Sequence, residues 1–462
     1  MRYRSRMQKP APSHPLPAST CDSPANLADQ LNLACACQTL EPQRLREQLE
    51  TSPALQGLTE RLTHSHPHLF SATAVFLDAQ VHAQLVQAVS TLERVMALPG
   101  WQAQALAQAP AIAQHNWGPA GVFMGYDFHL AAEGPKLIEI NSNAGGGWLN
   151  AALARAHRLC SSAAGALAPT LDNPEEAFIR MFHQEWQAQR GPAPLRSVLI
   201  VDDAPEQQYL APEFEMARAL FASHGLQAVV ADARDLQWHD GALWHPALPP
   251  GMPVDMVYNR LTDFYLEAPE HAALKQAFEA GACVVTPSPR THALYANKRH
   301  LAPLSDRAQL QAWGASADDC ALLQQVVPAT QRVQAAQADA LWAQRRQLFF
   351  KPATGFGSRA AYRGDKLTRR VWADILAGDY VAQAHVPPSE RLVRLDDHTT
   401  RLKLDLRAYS YQGQIQLLAA RTWAGQTTNF RTEGGGFSPV VVLPHLPQHS
   451  ATRHAEPEPS HR

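Results

Sequence analysis

Gly125-Tyr-Asp-Phe-His-Leu-Ala-Ala-Glu-Gly-Pro-Lys-Leu-Ile-Glu-Ile-Asn-Ser-Asn-Ala-Gly-Gly-Gly147 sets two short apolar runs, residues 126–130 and 136–140, either side of turn chemistry at 131–135. That pattern predicts a β-hairpin. Strand side chains alternate between faces, so Glu139 and Asn141 project from one face, and Asp127 on the partner strand can reach the same side. Two carboxylates and an amide oxygen would then stand together. Hard oxygen ligands of this kind suit Mg²⁺, which takes one or two carboxylates, keeps several waters and completes its shell with substrate phosphates. The same residues also fit a solvated hairpin face beside a glycine loop, and the rest of the chain has to separate the two readings.

A chain of 462 residues has room for two or three domains and a large core. Hydrophobic residues make up 45%, as in an ordinary globular protein, while the 18% charged fraction falls below the usual ~25%. A net charge of -2 and a pI near 6.9 give no electrostatic reason to expect nucleic acid or an anionic membrane as partner. No apolar run approaches the ~20 residues that span a bilayer. Four basic residues precede Pro10, but Pro, Ser and His follow where a signal peptide needs an apolar stretch, so the expected location is cytoplasmic. The six cysteines include one close pair, Cys35 and Cys37, a weak zinc signal and no disulfide framework.

Residues 1–27, rich in Pro, Ser and Ala, read as a disordered tail. From 27 to about 114 the pattern is mostly helical, strongest at 81–96. After the hairpin, 148–189 reads as helices, with Asp172 to Glu176 marking a helix start and 191–194 a linker. Strands at 197–201, 227–231, 256–259 and 283–286 then alternate with helices at 212–223 and 271–280, which indicates a parallel sheet covered on both faces. Residues 294–324 return to helix, and strands follow at 347–351, 380–385, 403–411 and 414–421. The polar tail after Leu446 reads as loose.

Three features beyond residue 290 bear on anion binding. Lys351 ends an apolar strand and enters a small loop containing Gly355 and Gly357, which lets a cation and backbone N–H groups approach phosphate oxygens. No Gly-Lys-Ser/Thr follows, so this is not a Walker A loop, and a lysine capping a strand beside a turn explains it as well. Arg421 and Arg431 lie near Gly434, Gly435 and Gly436, a combination that suits close backbone approach to an anion and equally a mobile surface loop. Lys298 follows the strand ending at Thr286 and reads either as a nucleotide contact or as a solvated helix lysine.

Asp127, then Glu139-Ile140-Asn141 with glycines after them, resembles the metal-binding ending of the ATP-grasp ligases. In most of that superfamily this motif follows the phosphate loop, whereas here it precedes Lys351, an order that resembles the circularly permuted architecture of eukaryotic-type glutathione synthetases. The helix with Ala156-His157-Arg158, the strand Met256-Val257-Tyr258-Asn259-Arg260, and Lys298, Lys351 and Arg421 follow in the same sequence, over roughly 115–445. The resemblance implies an α/β (α+β) fold: a permuted ATP-grasp body with an inserted doubly wound α/β substrate domain. Its parts would be a helical region with the metal-bearing hairpin at 28–192, the substrate domain at 195–290, a nucleotide-binding region with lid loops at 291–445, and a loose tail at 446–462.

On this resemblance Glu139, Asn141 and Asp127 hold Mg²⁺, and Lys298 and Lys351 contact ATP. The strand carrying Gln383 lies along the adenine, with Asp405 on the nucleotide side. Gly355, Gly357 and Gly434 to Gly436 belong to lid loops, Arg421 and Arg431 stand by the transferring phosphoryl group, and Arg260 holds a substrate carboxylate. The implied reaction joins a small-molecule carboxylate, on an amino acid or small peptide, to an amine through an acyl phosphate. Such chemistry needs positioning, charge neutralisation and exclusion of water. The synthetases it resembles are often dimers, so a homodimer is implied too.

The chain departs from the synthetases at three places. Gly125 and Tyr126 stand where an arginine and a serine would anchor a glutathione-type carboxylate, Thr354-Gly355 where Glu-Gly would complete the metal site, and Trp423 where a lysine would lie. These point to a ligase with another substrate. A glutathione or glutathionyl-polyamine synthetase is the runner-up. A non-catalytic ATP-binding sensor and a phosphotransferase are the rivals from other classes; joint retention of Asp127, Glu139, Asn141, Lys298 and Lys351 favours an enzyme.

Overall fold

The computed structural model describes residues 27–157, 173–355 and 360–444. Residues 1–26 and 446–462 of the expected tails, part of the expected helical stretch at 158–172, and Gly357 lie outside the described residues.

The body is built on a seven-stranded sheet in the order Val75–Asp78, Gly436–Leu443, Gln414–Trp423, Thr399–Tyr411, Met124–Ala131, Gly134–Asn141. Ser389–Arg394 pairs with the first half of Thr399–Tyr411, on the edge that Met124–Ala131 uses further along. All pairings are antiparallel except that of Val75–Asp78 with Gly436–Leu443. Alternation along the central strand separates two environments. Leu404, Leu406 and Ala408 enter a core with Tyr126, Phe128, Leu137 and Ile140 beneath the helix Ala79–Met96. Asp405, Arg407 and Tyr409 take the other face. The covering helix starts where the Asp78 carboxylate accepts the Gln80 N–H, and it buries Leu85, Ala88, Val89, Leu92, Val95 and Met96 at helical spacing.

The expected hairpin is present and longer than its apolar runs, closing through Ala132-Glu133 with Gly134 at φ +109°. Helices occupy much of 27–114 as expected, but Val75–Asp78 is a strand. Four residues leading into a helix cap carry too little periodicity to reveal it, and its partner strand lies far along the chain.

A second sheet is parallel, in the order Gln227–Asp232, Ser197–Asp202, Met256–Asn259, Val284–Thr286. Both faces are covered. Val198, Ile200, Met256 and Tyr258 pack with Phe214, Ala217 and Phe221 of the helix Ala211–Ser223. Leu199, Val201, Val257 and Val285 pack with Leu274, Ala277 and Phe278 of the helix Ala272–Glu279. A third sheet is antiparallel, in the order Thr330–Arg332, Tyr380–Ala384, Leu348–Pro352, Tyr362–Arg363. Here Leu348 and Phe350 join a small core with Leu341, Trp372 and Ile375. Phe349 and Lys351 consequently face the other way, toward the seven-stranded sheet. No helix among the described residues is long and apolar enough to cross a membrane.

Glu185, on the helix Pro174–Arg190, ties three parts of the chain together. Its Oε1 accepts the Ala120 N–H at 2.8 Å and the Tyr411 hydroxyl at 2.9 Å, and its Oε2 accepts the Gly121 N–H at 2.9 Å and the Thr286 hydroxyl. Removing it as Glu185→Ala strands four donors in the interior, and the expected loss is about 3 kcal/mol. The measurement is the thermal unfolding midpoint, and an unchanged midpoint would contradict the assignment. Gly436 is pinned differently. It sits at φ +115°, and a Cβ there would lie 2.6 Å from the backbone oxygens of His68 and Leu69. Gly436→Ala should therefore destabilise by at least ~2 kcal/mol, because backbone cannot step aside. Gly425→Ala, at φ +97° with open space around it, should lose only about 1 kcal/mol in the same unfolding series.

Candidate functional site

The face of the seven-stranded sheet that carries Asp405 meets the Phe349 and Lys351 face of the third sheet around a cavity of about 370 Å³. Asp127, Glu139, Asp405 and Arg421 line it from the first sheet, Lys351 and Gln383 from the third, and Lys298 and Gly355 from the connecting segments. Eight positions singled out in the sequence thus come together from across the chain.

Strand register sets the charged floor of this cavity. Asp127 stands directly opposite Glu139 on one side and Arg407 on the other, while Asp405 is opposite Arg421. Arg407 donates from Nε and Nη2 to the two oxygens of Asp127, each at 2.7 Å. Arg421 Nη2 reaches Asp127 Oδ2 at 2.8 Å and Asp405 Oδ2 at 2.9 Å, and its Nε reaches Asp405 Oδ1 at 2.8 Å. Asn141 Nδ2 adds a 3.3 Å contact to Asp127, and the Thr428 hydroxyl donates to Asp405 at 2.9 Å. Burial alone would raise the Asp127 carboxyl, but the two guanidinium groups outweigh it and hold it well below the usual range. Arg421, which burial would lower, is raised by Asp127 and Asp405. Asp127 is expected as a metal ligand, and the structure gives its oxygens to Arg407 and Arg421 instead, leaving it little capacity for a cation.

Opposite lie the lysines. Lys351 Nζ donates to the Ile138 carbonyl at 2.6 Å and to Gln383 Oε1 at 2.7 Å, so it bridges the hairpin and the third sheet. Burial, with Lys298 nearby, pushes its ammonium down to about 8 although Glu139 and Asp127 oppose the shift. Lys298 Nζ donates to the Gly355 carbonyl at 2.9 Å and stands 3.7 Å from Glu139 Oε2. Its own N–H donates to the Ala353 carbonyl at 3.0 Å, which fixes the start of the loop after Lys351. Glu139, which burial would raise, is lowered chiefly by Lys298. Gln383, expected along the adenine, turns its side chain to Lys351 and, through Nε2, to the Leu137 carbonyl at 3.4 Å.

Other expected positions lie outside the cavity lining. Asn141 is two residues beyond Glu139, the last lining residue of its strand. Arg260 is buried between the rings of Phe214 and Tyr258, donates to Asn143 Oδ1 and to the Tyr258 hydroxyl, and has Glu213 and Asp202 as charged neighbours. Arg431 is exposed, with its N–H on Asn429 Oδ1. Gly434 to Gly436 are held by their surroundings: the Gly434 carbonyl accepts the Ser71 hydroxyl, and a Cβ at Gly435 would lie 2.5 Å from the Thr422 carbonyl. None of the three lines the cavity where the resemblance places them.

Arg407 is the residue that sequence reasoning missed. It shares a strand face with Asp405 by simple alternation, but only the pairing with Met124–Ala131 brings it to Asp127. The aromatic wall was missed as well. Phe349 lies nearly parallel to His385, with centroids 6.4 Å apart, and Trp423 tilts against His129 at 6.5 Å.

No protein-family model matches the sequence, and no curated protein is significantly similar to it. Solved structures do match. A glutathione synthetase-like effector from Globodera pallida, in its apo form, superposes with a TM-score of 0.54 at 12% identity, covering 87% of this chain and 98% of its own. The likeness to a candidate gamma-glutamylcysteine synthetase from Methylobacillus flagellatus is looser, with a TM-score of 0.41, 10% identity and coverage of 79% and 88%. D-alanyl-alanine synthetase A from Vibrio cholerae scores 0.27 at 12% identity, over 52% and 78%. The architecture, in which a hairpin bearing Asp127 and Glu139 faces a small sheet bearing Lys351, is an ATP-grasp fold of the glutathione synthetase-like kind.

Proposed function

We propose that this chain is an ATP-dependent ligase that joins the carboxylate of an amino acid or small peptide to an amine, with ATP and Mg²⁺ at the cavity. The observation that carries the reading is the convergence of Lys298, Lys351 and Arg421 on one cavity beside Glu139. Asp127 and Asp405 are spent on arginines, so the two lysines beside Glu139 are the cations left to suit a polyphosphate and its metal.

The donor set fits Mg²⁺ in a restricted way. Among the described residues no three His, Cys, Asp or Glu side chains form a metal cluster, and Asp127 is engaged by arginines. Glu139 and the Asn141 amide oxygen would hold the ion together with phosphate oxygens and water, the coordination Mg²⁺ prefers. The ion supplies charge neutralisation at the phosphates.

The chain's own groups account for the rest. Lys351 and Lys298 would bind phosphate oxygens, and the flat surfaces of Phe349 and Trp423 offer an apolar slot for a base. Arg421, fixed by Asp127 and Asp405, would meet the transferring phosphoryl group without reorganising. In the first step a carboxylate oxygen attacks the γ-phosphorus, the bond to the β–γ bridging oxygen breaks, and ADP leaves with that electron pair. In the second, the amine nitrogen attacks the acyl carbon, inorganic phosphate leaves, and the nitrogen gives up its proton to solvent. Gly125 has no side chain to anchor a glutathione-type carboxylate, and a Cβ there would lie 2.5 Å from that of Ala144. This favours an acid other than γ-glutamylcysteine.

The deciding experiment is ADP release with Mg-ATP and hydroxylamine, screened across amino acids, γ-glutamyl peptides and polyamines. Acid-dependent release with hydroxamate formation is expected; nucleotide binding with no acid-dependent turnover would favour a sensor. Glu139→Gln should abolish that turnover while leaving the unfolding midpoint within a degree or so of the parent, and normal turnover by this variant would remove the metal assignment. The Lys351 shift adds a pH test. Its ammonium is charged below about 8 and neutral above, so nucleotide affinity should be full near pH 7 and fall as pH rises. The apparent Kd for ATP, read by calorimetry, should weaken roughly tenfold by one pH unit above that value. Lys351→Met should bind weakly with a flat profile, and a parent profile equally flat would place the phosphates elsewhere.

A further inference from the structure

Two of the three guanidinium nitrogens of Arg407 are committed to Asp127. The third, Nη1, has no hydrogen-bond partner among the described residues. The side chain as a whole is 10% exposed, so a planar fork is fixed at two points with one donor unclaimed.

Its position is specific. The Arg407 side chain passes over Gly125, where a Cβ would meet Arg407 Cδ at 3.7 Å and Asn141 Cβ at 3.6 Å. A side chain at 125 would compete for that space. On the next position of the strand face, the Tyr409 hydroxyl donates to the Gly145 carbonyl at 2.8 Å, and a Cβ at Gly145 would lie 2.9 Å from Arg260 Nη2. Arg407 thus stands between the cavity, which Asp127 lines, and the Arg260 end of the parallel sheet. Of the neighbouring carboxylates, Glu213 accepts the N–H groups of Gly146 at 2.8 Å and Trp148 at 3.0 Å and makes no hydrogen bond to Arg407.

A guanidinium preset by one carboxylate and open at its third nitrogen is a receptor for a second oxyanion. We propose that Arg407 Nη1 holds the carboxylate of the acid substrate beside Asn141 as it meets the transferring phosphoryl group, making Arg407 a residue that selects the acid. This rests on the ligase reading above. Arg421 keeps its own bond to Asp127 when Arg407 is replaced, so the floor of the cavity retains one of its two arginines.

The test uses Arg407→Gln and, should that variant fold poorly, Arg407→Lys, which keeps the charge and loses the fork. With the acid found in the hydroxamate screen, KM for the acid should rise about tenfold or more while KM for ATP stays within about twofold. A lowered unfolding midpoint with both KM values unchanged would make Arg407 a structural partner of Asp127 and overturn the proposal. Phosphate titration of the Mg-ADP-loaded protein, followed by calorimetry, gives a readout that does not need turnover. Phosphate affinity should fall at least about fivefold in the variant. If no acid is turned over by the parent, the ligase reading fails, and the phosphate titration alone decides: a weakened affinity keeps the oxyanion site, whereas equal affinity, or no phosphate binding by the parent, overturns it.

Discussion

The Asp127 carboxylate, shared by two arginines from two other segments, is the interaction on which the charged floor of the site depends. Arg407 comes from the neighbouring strand and Arg421 from the strand beyond it, so one side chain locks three strands in register. A buried carboxylate is tolerable only because these donors compensate it, and each arginine is tolerable only because of the carboxylates. A one-residue slip in any of the three strands would turn a charge into the apolar core under Ala79–Met96. The network therefore specifies the sheet as much as it equips the cavity.

A second joint links this sheet to the third. Lys351 holds the Ile138 carbonyl with one hydrogen bond and Gln383 with another, and Gln383 reaches back to the Leu137 carbonyl. Two of these partners are backbone oxygens of the hairpin where its register shifts, with residue 138 left over as a bulge. The bulge turns the Ile138 carbonyl toward the lysine and leaves the Leu137 carbonyl to Gln383. In this way an irregularity of the hairpin becomes the attachment point of the opposite wall.

Much of this was legible in the sequence where the signal is local. Period-two alternation placed Asp127, Glu139 and Asn141 on one face, the end of an apolar run marked Lys351, and the rhythm of strands and helices after residue 195 announced the parallel sheet. What the sequence could not convey is pairing between distant strands. Arg407 looks like any charged residue in an alternating strand until its neighbour is known, and Asp127 looks like a vacant ligand until Arg407 is seen to claim it. The triple glycine misled for a related reason. Gly436 answers a steric demand made by the backbone of residues 68 and 69, which no nearby residue announces.

The pairing of Val75–Asp78 with Gly436–Leu443 bears on how the chain acquires its structure. The parallel sheet draws its four strands from residues 197–286 and can close from local material. The seven-stranded sheet cannot, because its hairpin at 124–141 needs a central strand beginning at Thr399 and its edge strand at 75–78 needs one beginning at Gly436. Contacts so distant in sequence form slowly, since loop closure must precede any gain from them. During synthesis the parallel unit can form first, while the early hairpin, with its charged face and its apolar face both unpartnered, waits for most of the chain to emerge.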